Sequence, residues 1–261
     1  MWETLIEIII ALTKKMYHFL KRPAGRHIDQ PPDRCFTSRF ANTEDDLATV
    51  LQLRHAFFGR HVIVPDTTYR ACWGRNPDAM KLVYDFSGKP VGYWSVIPVA
   101  SNSYENFVKG ESSHNEMMCA KCLPWSSVAA DEVYLYVVGA VVPVPSGRSE
   151  RGLLQELIRG HVLLDLYSFG LDVMSRLKVK GICGYPSKTA GLTIFQKAGF
   201  VRTEVFIDKD ENQPVYVLSG DGMTEFRQQV KSLKKRHTVP VWDAHDRRRF
   251  LRMIMKESKK N

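Results

Sequence analysis

The sequence predicts an α/β fold, and three observations support this. Residues 133–200 read as a strand, a turn rich in proline, glycine and arginine, a helix, a second strand and a second helix. On either side of this stretch, two β-rich runs flank a short polar turn, which predicts a hairpin in each place. The 261 residues are enough for one full α/β domain with additions at the termini.

The first half of the domain is expected to hold a strand, a capped helix and a hairpin. Thr43 is the predicted N-cap of a helix that carries apolar residues from Leu47 to Phe58, because acidic residues fill its first turn. The other predicted elements are a strand over Cys35 to Phe40, a helix or loop over 65–73, and a hairpin of 81–86 and 91–99 around Ser87-Gly88-Lys89-Pro90. Residues 101–130 show no strong period and are expected to form a loop with one short helix.

The second half is expected to alternate strands and helices before a closing hairpin. Residues 132–142 are almost continuous in valine and tyrosine, which is typical of a central strand covered on both faces. A helix is predicted over 151–169, with Gly170 as its terminator or a kink. The remaining predicted elements are a strand over 179–185, a helix after Pro186-Ser187, and a hairpin of 201–207 and 215–218.

Three segments are predicted: an N-terminal amphipathic helix and linker over 1–32, a globular domain over 33–220, and a basic helical extension over 221–261. Apolar residues between Leu5 and Phe19 share one helical face, but the uncharged run is too short to span a bilayer. This helix is therefore expected to dock on its own domain, to lie in the plane of a membrane or to form a homodimer.

The formal charge of +9 is concentrated at the C-terminal end, where residues 221–261 hold twelve Lys/Arg against five Asp/Glu. Such a segment keeps a protein in solution or attracts nucleic acid, anionic lipid or an acidic partner. Nucleic acid is disfavoured, because no basic motif is interleaved with aromatic residues. Five scattered cysteines and the lack of a cleavable signal predict a cytoplasmic protein, with peripheral membrane contact through residues 1–22 as an alternative.

Cys119-Ala120-Lys121-Cys122 is a single CxxC pair with His114 five residues upstream. A structural zinc site needs four ligands at suitable spacing, and no second pair is present in the sequence. We therefore predict two reduced thiols in a loop and no metal.

The turn between residues 143 and 152 predicts an anion site. It joins a strand to the start of a helix, where free backbone N–H groups and the helix dipole attract phosphate. Arg148 and Arg151 add positive charge on either side of Ser149-Glu150, and Gly152 lets the backbone approach a ligand closely. A phosphate-bearing cofactor is the expected ligand.

Two motifs resemble the GCN5-related N-acetyltransferase (GNAT) superfamily. Residues 191–200, Gly-Leu-Thr-Ile-Phe-Gln-Lys-Ala-Gly-Phe, are similar to its A-x-x-[LI]-Y-x-x-x-G-F helix, and Pro143 matches the proline that closes its fourth strand. The resemblance covers about residues 36–218. It implies a mixed, mostly antiparallel sheet flanked by helices, and an N-acyltransferase that uses acetyl-CoA or another acyl-CoA as donor and an amine as acceptor.

The resemblance also implies which residues bind the donor. The expected acyl-CoA-binding residues are Val141, Val142, Arg148, Arg151, Gly152, Leu153, Lys188 and Phe195. The pyrophosphate turn departs from the family signature, since Ser149 replaces its Gln/Arg, and Leu154 replaces a small residue. Only Gly152 of the signature remains, so the groove is expected to be narrower or the donor to lie differently.

The reaction centre departs from the family too. Phe195 stands where many relatives have the tyrosine that protonates the departing thiolate. Tyr185, at the predicted end of a strand, is the expected replacement, with Thr193 as the other nearby hydroxyl. A general base must accept the proton of the amine, directly or through water. The candidate bases are Asp131, Glu132 and Tyr136, although Tyr136 also suits the core and Glu132 a solvated strand entry.

Two other functions fit the sequence. The segment Leu47 to Phe58 is similar to a related branch that takes acyl groups from acyl-carrier proteins, and a basic surface suits such an acidic partner. Alternatively, Phe195 and the eroded turn suit a non-catalytic GNAT-like module whose basic termini bind membrane or nucleic acid.

Overall fold

The computed structural model describes most of the predicted domain. The described residues are 36–59, 64–85, 87–128, 132–143, 150–186, 189–206, 214–236, 241–242, 245, 248–250 and 252, with the backbone alone for 150–157, 189–190, 233–236 and 241–242. The predicted helix and linker over 1–32 lie outside this set.

One mixed sheet forms the centre of the protein. Its eight strands in the described residues are β1 (Phe36–Phe40), β2 (Met80–Asp85), β3 (Pro90–Val99), β4 (Val133–Val141), β5 (Val179–Gly184), β6 (Val201–Phe206), β7 (Pro214–Ser219) and β8 (Val241–Trp242). They lie in the order β6-β7-β5-β4-β3-β2-β1-β8. Only β4–β5 and β1–β8 are parallel pairs, so the sheet is mostly antiparallel, as predicted. Both predicted hairpins are confirmed, as β2–β3 and β6–β7.

Helices cover both faces of this sheet. They are α1 (Glu44–Phe58), α2 (Asp66–Arg75), α3 (Ser101–Val108), α4 (His114–Cys119), α5 (Glu150–Met174), α6 (Thr189–Lys197) and α7 (Asp221–Arg236). Alternation along the strands separates two cores: Trp94 and Leu135 pack with α5 and α7, whereas Tyr93 and Tyr136 pack with α1 to α4. The strands and helices predicted within residues 36–218 follow one another in the structure in the predicted order, and the structure adds further elements to them.

The predicted cap of α1 is confirmed. The Thr43 side chain accepts a hydrogen bond from the backbone N–H of Asp46, and the Asp46 carboxylate accepts one from the backbone N–H of Thr43. Arg39 on β1 also donates to both oxygens of Asp46. Because of these bonds the pKa of Asp46 is lowered even though burial alone would raise it. The start of α1 is thus tied to the first strand.

Two expectations from the sequence are wrong. Residues 101–130 hold two α-helices, α3 and α4, and a 3-10 turn at Trp125–Ser127, where a loop with one short helix was expected. Gly170 does not end its helix, since α5 continues to Met174. Gly170 faces Phe226 of α7, with 3.9 Å between an ideal Cβ and the ring, so the helix packs closely there. The apolar stripe continues through Leu171, Val173 and Met174, and burying it favours continued helix over a stop at glycine.

A buried ion pair fastens α5 to the sheet. Asp165 and Lys81 are both fully buried, and the Lys81 Nζ lies 3.2 Å from Asp165 Oδ1. The same carboxylate accepts hydrogen bonds from Ser38 Oγ at 2.9 Å and from Trp94 Nε1 at 2.7 Å. Three strands are therefore joined to one helix through Asp165, and a charge that would be costly to bury alone is satisfied on both oxygens.

The residues after position 220 join the core as well. α7 packs on α5, β8 pairs with β1, and Phe250 is fully buried against Phe40, Trp125 and Phe169. The predicted boundary at residue 221 is not tested by these contacts and stays a prediction. In the described part of the chain, no helix combines the length and apolarity needed to cross a membrane.

Candidate active site

The two central parallel strands separate partway along their length. β4 pairs with β5 from Val133 to Val137, where the partner is Gly184, the last residue of β5. β4 continues to Val141, and within the described residues these last positions pair with β3 alone. Among the residues that the structure describes, one side of the β4 backbone therefore has no strand partner beyond Val137, and we call this gap the opening.

A β-bulge lies at the start of this opening. Val96 of β3 is opposite Val137 and Ser95 is opposite Gly139, so Val138 is an extra residue in β4. Residues 137–140 are half-buried although the β3 residues opposite them are buried, which indicates an accessible groove. An ideal Cβ placed on Gly139 meets no atom within 4 Å, so the groove has free space at this glycine.

Two of the predicted donor-binding residues lie at the end of β4 that pairs with β3 alone. Val141 and Val142 are buried at the end of β4, and Arg151, Gly152 and Leu153 belong to the first turn of α5. The side chains of that turn, and Arg148 and Lys188 entirely, lie outside the described residues. What the structure gives at this end is a helix N-terminus that follows the open strand, and such an N-terminus can bind an anion.

Phe195 lies beside the end of β5. Its ring packs 4.6 Å from the Phe200 ring and 5.9 Å from Tyr216, measured between centroids. An ideal Cβ on Gly184 would stand 3.0 Å from Phe195 Cζ and 3.0 Å from the Val137 carbonyl oxygen. A larger residue than glycine would therefore be crowded where β4, β5 and Phe195 come together.

Two of the three predicted catalytic residues meet at His114, which the sequence analysis considered only as a metal ligand. Tyr136 is fully buried, and its hydroxyl hydrogen-bonds to Nδ1 of His114. Tyr185 is half-buried just beyond β5, with its ring edge-on to the imidazole at 5.1 Å between centroids. The sequence does contain a pattern that could have located His114. Ser113 and Glu116 form a capping box that starts α4 and places His114 at the first position of this helix.

The imidazole of His114 is held neutral. Burial, together with a smaller contribution from the positive charge of Arg54, lowers its pKa to about 3. A neutral ring can orient the Tyr136 hydroxyl but is too weak a base to take a proton from an ammonium group at neutral pH. Tyr136 and His114 are therefore suited to positioning, and the more exposed Tyr185 is suited to proton transfer.

The remaining candidates lie apart from this cluster. Glu132 is exposed before β4 begins, at the end of the strand opposite the opening, and accepts a hydrogen bond from Tyr134 at 3.1 Å. Thr193 is exposed on α6. Asp131 lies outside the described residues. The structure thus gives no side-chain carboxylate at the opening among these candidates.

A buried arginine lies on the same face of the sheet as His114. Arg54 of α1 is only 2% exposed, donates from Nη1 to Asp66 Oδ1 at 2.6 Å, and lies 4.4 Å from the centre of the Tyr69 ring. Tyr69 in turn has its hydroxyl 3.5 Å from that of Tyr93 on β3. The pKa values of both tyrosines are raised, mainly by burial.

The cysteines of the CxxC pair do not face a common ligand. Cys122 is buried, with its Sγ 3.6 Å from Sγ of Cys72, and Cys119 is only half-buried. The hydrogen bond that the Cys72 thiol donates to Cys122, together with burial, raises the pKa of Cys72, so Cys72 stays a thiol. Among the residues that the structure describes, no cluster of three His, Cys, Asp or Glu side chains could hold a metal ion.

No family model and no curated protein matches the chain. Several solved structures are similar to this chain. One is the NatC complex bound to Gag peptide and CoA, which shows 15% sequence identity and a TM-score of 0.44; the match covers 71% of this chain and 98% of that chain. A GNAT-family acetyltransferase from Bacillus cereus shows 16% identity, with 70% and 94% covered and a TM-score of 0.37. An acetyltransferase from Streptococcus agalactiae shows 10% identity, with 70% and 97% covered and a TM-score of 0.40.

GNAT acetyltransferases are thus among the solved structures to which this chain is similar. The GNAT-like fold itself is read from the strand order and the positions of the helices. Fold alone does not give an activity, which is argued separately below.

Proposed function

We propose that the protein is an N-acyltransferase that moves an acyl group from acyl-CoA to an amine. The observation that carries this proposal is the opening between β4 and β5, which starts at the Val138 bulge and runs past free space at Gly139. An extended thioester fits an open strand edge because the strand's backbone N–H groups can bind it, as another strand would. The N-terminus of α5 supports binding of the donor's phosphates at the far end.

The groups around the opening suit acyl transfer. The amine attacks the thioester carbonyl, and backbone N–H groups of the unpaired part of β4 stabilise the oxyanion. Tyr185 then protonates the leaving thiolate, a role that Phe195 cannot fill. The buried His114 contacts the ring of Tyr185 edge-on, and the hydrogen bond to Tyr136 holds His114 in place. The proton of the attacking amine passes to water in the half-exposed groove.

Filling the groove at Gly139 tests this function. We expect isothermal titration calorimetry to show that the wild type binds acetyl-CoA or a longer acyl-CoA, and that Gly139→Val weakens this binding at least about tenfold, which corresponds to ~1.4 kcal/mol. The fold should tolerate valine, because a Cβ there meets no atom within 4 Å. Gly160→Ala, on α5 and equally unobstructed, is the matched control and should bind like the wild type.

Failure of the wild type to bind any acyl-CoA would contradict the proposal, as would unchanged binding by Gly139→Val. Acylated carrier protein belongs in the same titration. If it binds and every acyl-CoA fails, the donor is a carrier protein, as the resemblance of residues 47–58 also allowed. Membrane contact through residues 1–22, a homodimer and a cytoplasmic location remain predictions from the sequence.

A further inference from the structure

The Arg54 guanidinium has an unused hydrogen-bonding nitrogen inside the protein. Nη1 donates to Asp66, but Nη2 is buried and has no hydrogen-bond partner within the described residues. The centre of the neighbouring Tyr69 ring lies 4.4 Å from the guanidinium carbon, and Nη2 makes no hydrogen bond to the Tyr69 hydroxyl. Unpaired buried donors are rare because they lose their hydration without compensation, and those that occur require an explanation.

The charge of Arg54 is also only partly balanced. Its partner Asp66 is 42% exposed and is shared with His55, whose Nε2 lies 3.0 Å from Asp66 Oδ2. The hydrogen bond from His55 is the main cause that lowers the pKa of Asp66, followed by smaller contributions from Arg54. The carboxylate is therefore partly exposed and shared by Arg54 and His55, whereas the inner side of the guanidinium, beside the Tyr69 ring, carries the buried Nη2. A bound anion would complete this inner side.

This inner side belongs to the same face of the sheet as the opening. Tyr93 is opposite Val141, and Ser95, the next β3 residue on the same face, is opposite Gly139. Tyr136 lies on this face of β4, three residues before Gly139. Arg54 is connected to this face through Tyr69, whose ring centre lies 4.4 Å from the guanidinium and whose hydroxyl is 3.5 Å from that of Tyr93.

We propose that Arg54 binds a carboxylate of the acyl acceptor, so that the acceptor is a small amine that also carries a carboxylate, the chemistry of a free amino acid. Nη2 pairs with this carboxylate, while Nη1 stays on Asp66. The acceptor's amino group then points toward the thioester in the opening. This inference rests on the proposed N-acyltransferase function and adds the acceptor class to it.

The test compares free amino acids with their α-carboxamides, which keep the amine and lose the charge. Each of the twenty pairs is offered with acetyl-CoA, and CoA release is followed with a thiol reagent. We expect the wild type to prefer at least one acid over its amide by roughly tenfold to a hundredfold in kcat/KM, because charge-assisted hydrogen bonds are the stronger kind. Arg54→Lys should lose this preference, because lysine can keep the Asp66 ion pair but presents no fixed second donor.

Arg54→Gln removes the charge altogether and should lose the preference even more completely. Arg70→Gln changes an exposed arginine of α2 that pairs with Glu44, and this control should keep the preference. Acetyl-CoA titrations must show unchanged donor binding in Arg54→Lys, and near-UV circular dichroism must show an unchanged fold. Equal use of acids and amides by the wild type, or a preference retained in Arg54→Lys, would overturn the inference.

A failure of the proposed function gives a different result, namely no donor binding and no CoA release with any acceptor. The acids and amides are then titrated directly in the absence of donor. Binding of an acid by the wild type and by Arg70→Gln, but not by Arg54→Lys, would support the carboxylate site without the transfer reaction. Absence of acid binding by the wild type would overturn the inference.

Discussion

Single side chains decide how the candidate site is charged. His114 is neutral because it is fully buried and close to the cationic Arg54, and its pKa of about 3 is far below the ordinary value of ~6.5. The unfolded chain binds a proton on this histidine between these two values, and the folded chain does not. The contribution of the neutral His114 to the free energy of unfolding is therefore fully present above pH ~6.5 and is lost as the pH falls toward 3.

Replacing His114 should therefore flatten the pH dependence of stability. We expect the free energy of unfolding of the wild type to fall by about 1 kcal/mol per pH unit below pH ~6.5 through this group, and His114→Gln to lose that contribution. Urea unfolding of both proteins at pH 7.5 and pH 5 measures this change in the free energy of unfolding. His245→Gln, at an exposed position, should keep the wild-type slope. Equal slopes for wild type and His114→Gln would show that His114 titrates normally.

The sequence analysis selected Tyr136 and Tyr185 without the residue that joins them. Both tyrosines were found because they lie on or beside strands that the pattern of hydrophobic residues predicts well. His114 comes from a segment that was expected to be mostly loop, 22 residues before Tyr136. Only the packing of α4 on the sheet brings the imidazole to both tyrosines, and Arg54 enters the same cluster from α1.

At the level of elements, α5 shows how packing overrides a local signal. Gly170 reads as a helix stop, yet the helix continues for four more residues, and Leu171, Val173 and Met174 of that last turn are buried. Burying three large apolar side chains outweighs the ~1 kcal/mol that glycine costs in a helix.

Alanine at position 170 should accordingly stabilise the protein. The new methyl group would lie 3.9 Å from the Phe226 ring, an ordinary contact, and alanine favours the helix by roughly 0.5–1 kcal/mol. Chemical denaturation of Gly170→Ala measures the gain. Gly181→Ala is the contrasting variant. It should destabilise the protein, because its Cβ would stand 2.7 Å from the Tyr104 hydroxyl. A loss of stability in Gly170→Ala would contradict this account.

At the level of the whole molecule, the C-terminal segment is part of the core. Arg249 donates to Asp78, with 3.0 Å between Nη1 and Oδ2, and Phe250 beside it fills a space between Phe40, Trp125 and Phe169. These partners come from the first strand, from the segment before β4 and from α5. The end of the described chain therefore holds together elements that are far apart in sequence.

Removing the Phe250 side chain should cost about 3–5 kcal/mol of folding free energy, since a fully buried phenylalanine leaves a cavity when cut to alanine. Arg252→Ala is the matched control, because Arg252 is exposed two residues later, and we expect less than ~0.5 kcal/mol there. Thermal and urea unfolding measure both variants. A Phe250→Ala variant as stable as Arg252→Ala would show that the segment is dispensable for the core.

The sequence alone predicts the main strands and helices, both hairpins and the cap at Thr43, because periodicity, turn residues and capping act over a few neighbouring residues. The mostly antiparallel GNAT-like sheet was predicted from the family resemblance of two motifs. The tertiary structure decided the rest: the helices in 101–130, the length of α5, the Asp165–Lys81 pair and the His114 cluster. Each depends on contacts between residues distant in the chain, and burial at those contacts sets charge, hydrogen bonding and helix ends more strongly than local preference.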